Sequence, residues 1–202
     1  MLAGRFDYRG DELTYDDPQN ANLMRVIDRR RGLPVALGVL YMHAGRAQGW
    51  DVAGLAFPSH FLIRVQRDGG RAILDPFNRG RQLEPAEMRA LLKKLMGEKA
   101  ELQPAHWNPV SARDVLLRLQ NNIKTRALQA DDAGAAAATL RSMLRIAPAR
   151  GVLHRELALV EGRIGNLKTA LEAAESYRRL ADGDAQRHDA ALLLQQLKAK
   201  LN

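Results

Sequence analysis

From Val35 to Gln48 the chain offers no broad polar face, because Leu37, Val39, Leu40, Tyr41 and Ala44 spread apolar groups nearly all round a helix before His43. Such a helix is stable only when neighbours cover it on several sides, so it belongs in the middle of a domain. Gly32 breaks the segment before it, and Pro34 suits a first helical turn, where a missing N–H costs nothing. The rest of the first hundred residues must be arranged around this element.

Before it, residues 6–20 are rich in Gly, Asp, Tyr and Pro without a sustained period, and read as irregular chain. Leu23, Val26 and Ile27 recur at helical spacing over 21–30, with Asn20 or Asn22 as the expected cap. After it come three expected strands: 52–57, then 60–66 with alternating Phe61, Ile63 and Val65, then 71–75. Asp68-Gly69-Gly70 between the last two is a hairpin signal. A two-residue turn at Asp68-Gly69 pairs Leu62 with Asp75, and one at Gly69-Gly70 pairs Arg64 with Asp75. Either register puts Asp75 on the face of His60; a three-residue turn would reverse it.

Pro85 opens a further helix through Met96, and the run from Gln103 to Pro109 breaks the pattern. A domain boundary is therefore expected between residues 108 and 109, giving units 1–108 and 109–202. Beyond it everything reads as helix: 111–129, 133–146, 150–164, 167–180 and 185–201. Ala136 and Ala170 lie 34 residues apart, each near the start of the second helix of a pair, and Pro148 closes the first unit. That period and those small residues suit the tetratricopeptide repeat (TPR); the aromatic and glycine positions of its first helix are not filled in the usual way, although Leu157, Ala158 and Gly165 suit the second unit. A plain helical bundle satisfies the same pattern.

Several function classes are excluded or disfavoured. The 202 residues contain no cysteine, which removes thiolate chemistry, disulfides and sulfur-ligated zinc. The net charge of +8 raises acidic partners, but the basic residues are interleaved with acids along amphipathic segments and aromatics are few, which disfavours nucleic acid. Arg29, Arg30 and Arg31 end a helix, where cations favour the dipole. Asp11, Asp16 and Asp17 lack the glycine and distal glutamate of a calcium loop, and His43, His106, His154 and His188 are too scattered to suggest a metal cluster. No metal or cofactor is expected. With no long apolar segment and no signal peptide at the N-terminus, the expected location is the cytoplasm, without membrane association.

A histidine and an aspartate on one hairpin face, beside a buried helix whose N-terminus points at them, is a geometry that activates a nucleophile at that helix end. The runs Tyr15-Asp16-Asp17-Pro18-Gln19-Asn20, Arg30-Arg31-Gly32-Leu33-Pro34, Phe57-Pro58-Ser59-His60-Phe61 and Leu74-Asp75-Pro76-Phe77 are similar to the bacterial SirB-type family. The resemblance implies an α+β fold: a transglutaminase-like (papain-like) core, with a small antiparallel sheet and a buried central helix, followed by an all-α TPR-like domain. It also implies a further helical segment before the position of Met1. His60 and Asp75 match the family's catalytic histidine and aspartate, and the cysteine position falls at or next to Pro34, which has neither thiol nor hydroxyl. Ser59 adjoins His60 on the expected strand and would point to its opposite face. Tyr15, Asn20 and Pro34 are the expected cleft-lining residues.

Three readings follow. The favoured one is a non-catalytic binding or regulatory scaffold with a protein or peptide partner. The second is a hydrolase or transferase that uses His60 and Asp75 without a covalent intermediate. The third, a nucleic-acid-binding helical protein, rests on charge alone.

Overall fold

The computed structural model describes residues 2–200. They form two compact units, the first ending at Leu119 and the second beginning at Gln120. The expected boundary at 108/109 falls in an extended stretch that joins the first unit's backbone: Ala56 N–H donates to Asn108 O (2.9 Å) and Val110 N–H to Gly54 O (2.9 Å). The first unit ends inside a continuous helix.

In the first unit, helices α1 (Leu2–Phe6) and α2 (Leu23–Arg29) flank a two-residue parallel pair, β1 (Arg9–Gly10) and β2 (Arg31–Gly32). Asn22 caps α2, its side chain accepting from Met24 N–H at 3.1 Å and Arg25 N–H at 3.4 Å. The central helix α3 (Pro34–Arg46) begins with proline at its first position, and Pro34, Val35, Ala36, Leu37 and Gly38 are all buried. This is the covered environment that its uniformly apolar surface demands.

An antiparallel sheet lies beside α3, in the order β3 (Asp51–Gly54), β4 (Ile63–Arg67), β5 (Gly70–Asp75) and β6 (Arg81–Gln82). The hairpin closes through Asp68-Gly69, with φ of 49° and 77°, and Arg67 pairs with Gly70. This is one of the two expected two-residue turns. Both positive φ values fit a mirror-image turn whose twist matches the strands, and glycine accommodates the second at no steric cost. Leu74 pairs with Ile63, so the next position, Asp75, lies opposite Leu62 just past the paired strand end.

Strand β4 is shorter than the expected 60–66. Ser59 adopts φ 57° and His60 N–H donates to Pro58 O at 2.7 Å, a tight turn that lifts His60 out of the strand. Ser59 is therefore not a strand neighbour of His60; its hydroxyl meets Met96 Sδ at 3.1 Å. Beneath the sheet, Leu55, Phe57, Leu62 and Ile73 form a core with Met88 and Leu92 of α4 (Pro85–Met96). Helix α5 (Ala112–Gln129) carries Arg118 back to the loop around His60.

The second unit is helical, with α6 (Ala133–Ile146), α7 (Gly151–Arg163), α8 (Leu167–Leu180) and α9 (Gly183–Ala199). The expected helix 185–201 runs instead from 183 to 199; Leu201 lies outside the described residues. Helices α6 and α8 start and end 34 residues apart, and Ala136 and Ala170 are fully buried. Glu161 is fully buried as well, paired with Arg141 and accepting from Asn166 Nδ2 at 2.8 Å. The whole is an α+β chain. Among the described residues no helix is long and apolar enough to cross a membrane.

Candidate functional site

Asp75 ends β5 and is almost completely buried. Its Oδ1 receives His60 Nε2 at 2.9 Å, Phe77 N–H at 3.0 Å and Asn78 N–H at 3.3 Å, and its Oδ2 receives Asn78 Nδ2 at 2.6 Å. Burial opposes ionisation of this carboxyl. The hydrogen bond and charge of His60, with the Asn78 side chain and backbone, outweigh it and hold the Asp75 pKa below its ordinary value. An ionised carboxylate only accepts, so the neutral imidazole carries its proton on Nε2 and leaves the Nδ1 lone pair as the basic site.

The sign of the pH effect follows. A lowered folded-state pKa contributes stability that is complete above the ordinary value of 3.8 and is lost as pH falls towards the folded-state value. In urea unfolding below pH 4, wild type should therefore lose its advantage over Asp75→Asn. A constant advantage from pH 7 down to pH 3 would contradict an ionised Asp75.

Of the expected cleft residues, Tyr15 reaches this pair through Phe77, and Asn20 ties the Tyr15 loop to the residue before Pro34. The Tyr15 ring meets the Phe77 ring edge-on, with centroids 5.8 Å apart, and Phe77 meets the His60 imidazole at 6.1 Å. Asn20 is fully buried, and its Nδ2 donates to Thr14 O at 2.6 Å and Tyr15 O at 3.4 Å. Its backbone carbonyl accepts Leu33 N–H at 2.9 Å, immediately before Pro34. Asn20 thus braces the Tyr15 loop to the start of α3 rather than capping α2. Arg29 anchors the same loop, donating to Asn20 Oδ1 (3.1 Å) and Asp11 Oδ2 (3.1 Å). The Asp11 side chain also takes up Thr14 N–H and its hydroxyl, a local fastening of the loop.

Three contributors were not foreseen from sequence. Arg118 donates to His60 O at 2.6 Å and Phe57 O at 3.1 Å, and its guanidinium lies 5.5 Å from the Phe61 ring centroid. Burial lowers its pKa and the neighbouring Tyr15 opposes that shift. Asn78, three residues after Asp75, was hidden in an ordinary turn. Tyr41 of α3 lies near Asp75; burial, reinforced by the Asp75 charge, raises its phenol to about 12, so it stays protonated. Among the described residues its hydroxyl has no hydrogen-bond partner. The Asp-Pro-Phe-Asn sequence alone could have flagged Asn78 as an Asx-type turn partner; nothing in sequence ties Arg118 to His60 across 58 positions.

The arrangement can orient an imidazole, hold it against a carboxylate and present Nδ1 as a base. Pro34, at the start of α3, carries neither thiol nor hydroxyl.

Comparison with known proteins adds a family to this geometry. The model of the transglutaminase-like superfamily matches residues 1–121. A UPF0162 protein of Xylella fastidiosa (strain Temecula1) is 31% identical over 182 residues, covering 89% of this chain and 65% of that one. A UPF0162 protein of Pseudomonas aeruginosa is 32% identical over 161 residues, covering 76% of this chain and 58% of its own length. F-box only protein 21 of Mus musculus is 27% identical over 131 residues, 61% of this chain and 20% of that protein. The chain thus spans less than two thirds of the length of these two bacterial relatives. No solved structure matches it. With the family match running across the loop, α3 and the sheet that hold His60 and Asp75, the chain belongs to the transglutaminase-like superfamily.

Proposed function

We propose that this protein is a non-catalytic transglutaminase-like domain joined to TPR-like helix pairs, acting as a binding or regulatory scaffold for a protein or peptide. The observation that carries the reading is Pro34, buried at the first position of the central helix, where the family resemblance puts the nucleophilic cysteine. Without that nucleophile the covalent step of the family's chemistry has no starting atom. The 34-residue offset of α6 and α8, with buried alanines at equivalent positions, supports the TPR-like part.

A second reading keeps an activity: the intact 2.9 Å contact between His60 and Asp75 favours a hydrolase in which Nδ1 activates water. One set of variants separates the two. Under the scaffold reading, wild type and His60→Ala are equally inactive on activated ester and amide substrates. In Pro34→Cys, the helix N-terminus and His60 should depress the thiol pKa, so iodoacetamide alkylation at pH 6 outpaces that of free cysteine by at least about tenfold. The Pro34→Cys/His60→Ala double variant should lose that advantage. Wild-type turnover abolished by His60→Ala at unchanged melting temperature would establish the hydrolase instead. If the thiol of Pro34→Cys reacts no faster than free cysteine, the proposed correspondence between Pro34 and the family cysteine is removed.

A further inference from the structure

Phe77, whose ring meets His60 edge-on, also lines a cavity of about 740 Å³, a size typical of small-molecule sites. Its charged lining comprises Arg9, Arg29, Arg31, Arg79 and Arg81, against the carboxylates of Asp11 and Glu12. The arginines converge because β1 and β2 pair in register, placing Arg9 beside Arg31, while the turn after Asp75 brings in Arg79.

The ion pairing within this cluster is uneven. Arg29 is shared by Asp11 (3.1 Å) and Asp17 (3.6 Å), and Arg81 pairs with Glu87. Arg31, Arg79 and Arg9, in contrast, all turn to one carboxylate, Asp7, at 2.9, 3.1 and 3.9 Å. Three guanidinium groups around one carboxylate leave two positive charges in excess at that end of the cavity, while Arg29 between two carboxylates and Glu12 carry the opposite sign at the other. Arg31 is the best satisfied, since it also donates to Asp7 O and Arg30 O. Arg9 and Arg79 retain roughly half-exposed side chains, 41% and 53%. A concave surface with a local excess of positive charge focuses its field there, and the guanidinium fork matches the oxygens of phosphate or carboxylate.

We propose that this cavity binds a small molecule carrying a dianionic head, either a phosphate monoester or a pair of carboxylates, with Arg9 and Arg79 as the principal ligands and Arg31 as the fixed anchor of Asp7 between them. The site does not depend on the His60–Asp75 pair being active or inactive. It shares with that pair's surroundings the wall formed by Phe77 and Asn78 and the Asp11, Thr14 and Arg29 groups that fasten the Tyr15 loop.

Isothermal titration of the full chain at matched ionic strength tests this, with inorganic phosphate as one probe, citrate as the other and chloride as control. Saturable binding is expected for phosphate or citrate, and which one binds identifies the head group. Arg9→Ala/Arg79→Ala should weaken it roughly tenfold or more, the loss expected on removing charge-assisted hydrogen bonds. Should that variant not fold, Glu12→Gln supplies the opposite sign: removing a carboxylate from the rim should tighten binding about two- to fivefold. Arg187→Ala, in the helical unit, should leave it unchanged. The proposal is overturned if neither probe gives saturable heat, if chloride gives an equal response, if folded arginine variants or Glu12→Gln keep wild-type affinity, or if only a polynucleotide binds.

Discussion

Asp75→Ala should lower stability by about 3–5 kcal/mol, the cost of leaving several buried hydrogen-bond donors without their acceptor. The loss has an identifiable source. Two backbone N–H groups, the Asn78 amide and His60 Nε2 all donate to this carboxylate, and alanine offers them nothing. Buried donors left unmade cost about 1–3 kcal/mol each, with partial relief as water enters the shortened site. Urea unfolding measures the change directly. For a chain of this size it corresponds to a fall in melting temperature of about 10 °C. Asp75→Asn should lose less, because its amide oxygen still accepts from part of the set. A melting temperature for Asp75→Ala within about 2 °C of wild type would mean that the carboxylate does not hold the turn.

Phe61→Ala should cost a similar amount, about 3–5 kcal/mol, because a nearly inaccessible ring is removed from a tightly fitted slot. Gly38 of α3 and Gly54 of β3 make that slot. A Cβ on Gly38 would stand 2.3 Å from the ring, and one on Gly54 2.6 Å. Gly38→Ala alone should therefore destabilise by about 1–3 kcal/mol through overpacking. In the Phe61→Ala background the obstructing ring is gone, so the added methyl should be neutral or favourable. The double-mutant cycle is thus expected to be strongly non-additive. Additive losses would show that Phe61 and Gly38 do not share this space.

The same two regions show how far the sequence could be read. The central helix was legible because an apolar surface on all sides has one stable solution, and Pro34 marks its start. The hairpin was legible to within two registers because Asp68-Gly69-Gly70 restricts the turn and side chains alternate in strands; the structure selects Asp68-Gly69. His60 was assigned to a strand because 60–66 alternates well. Ser59 in the left-handed region removes it from the ladder, and alternation carries no information about such a local backbone exception. The short β1–β2 pair and β6 were missed for a related reason: two-residue strands have no period to detect.

Asn20 illustrates a different gap. Its residue type suits a helix cap, and Asn22 takes that role two positions later. What Asn20 does instead, tying Tyr15 to the residue before Pro34, depends on a loop folding back over α3. Arg118 makes the point at longer range, since its bond to His60 O joins segments 58 residues apart.

By itself the sequence determined the elements with strong periodicity, the absence of cysteine, and the placing of Asp75 on the face of His60 in either two-residue hairpin register. These follow from residue type and near-neighbour spacing, which the covalent chain specifies directly. Only the tertiary structure decided which oxygen atoms hold the imidazole, that Arg118 and Asn20 brace the loops around it, and that five arginines gather round one cavity beside Phe77. Those depend on long-range packing, where a side chain's partner is set by the path of the whole backbone and not by the residues beside it.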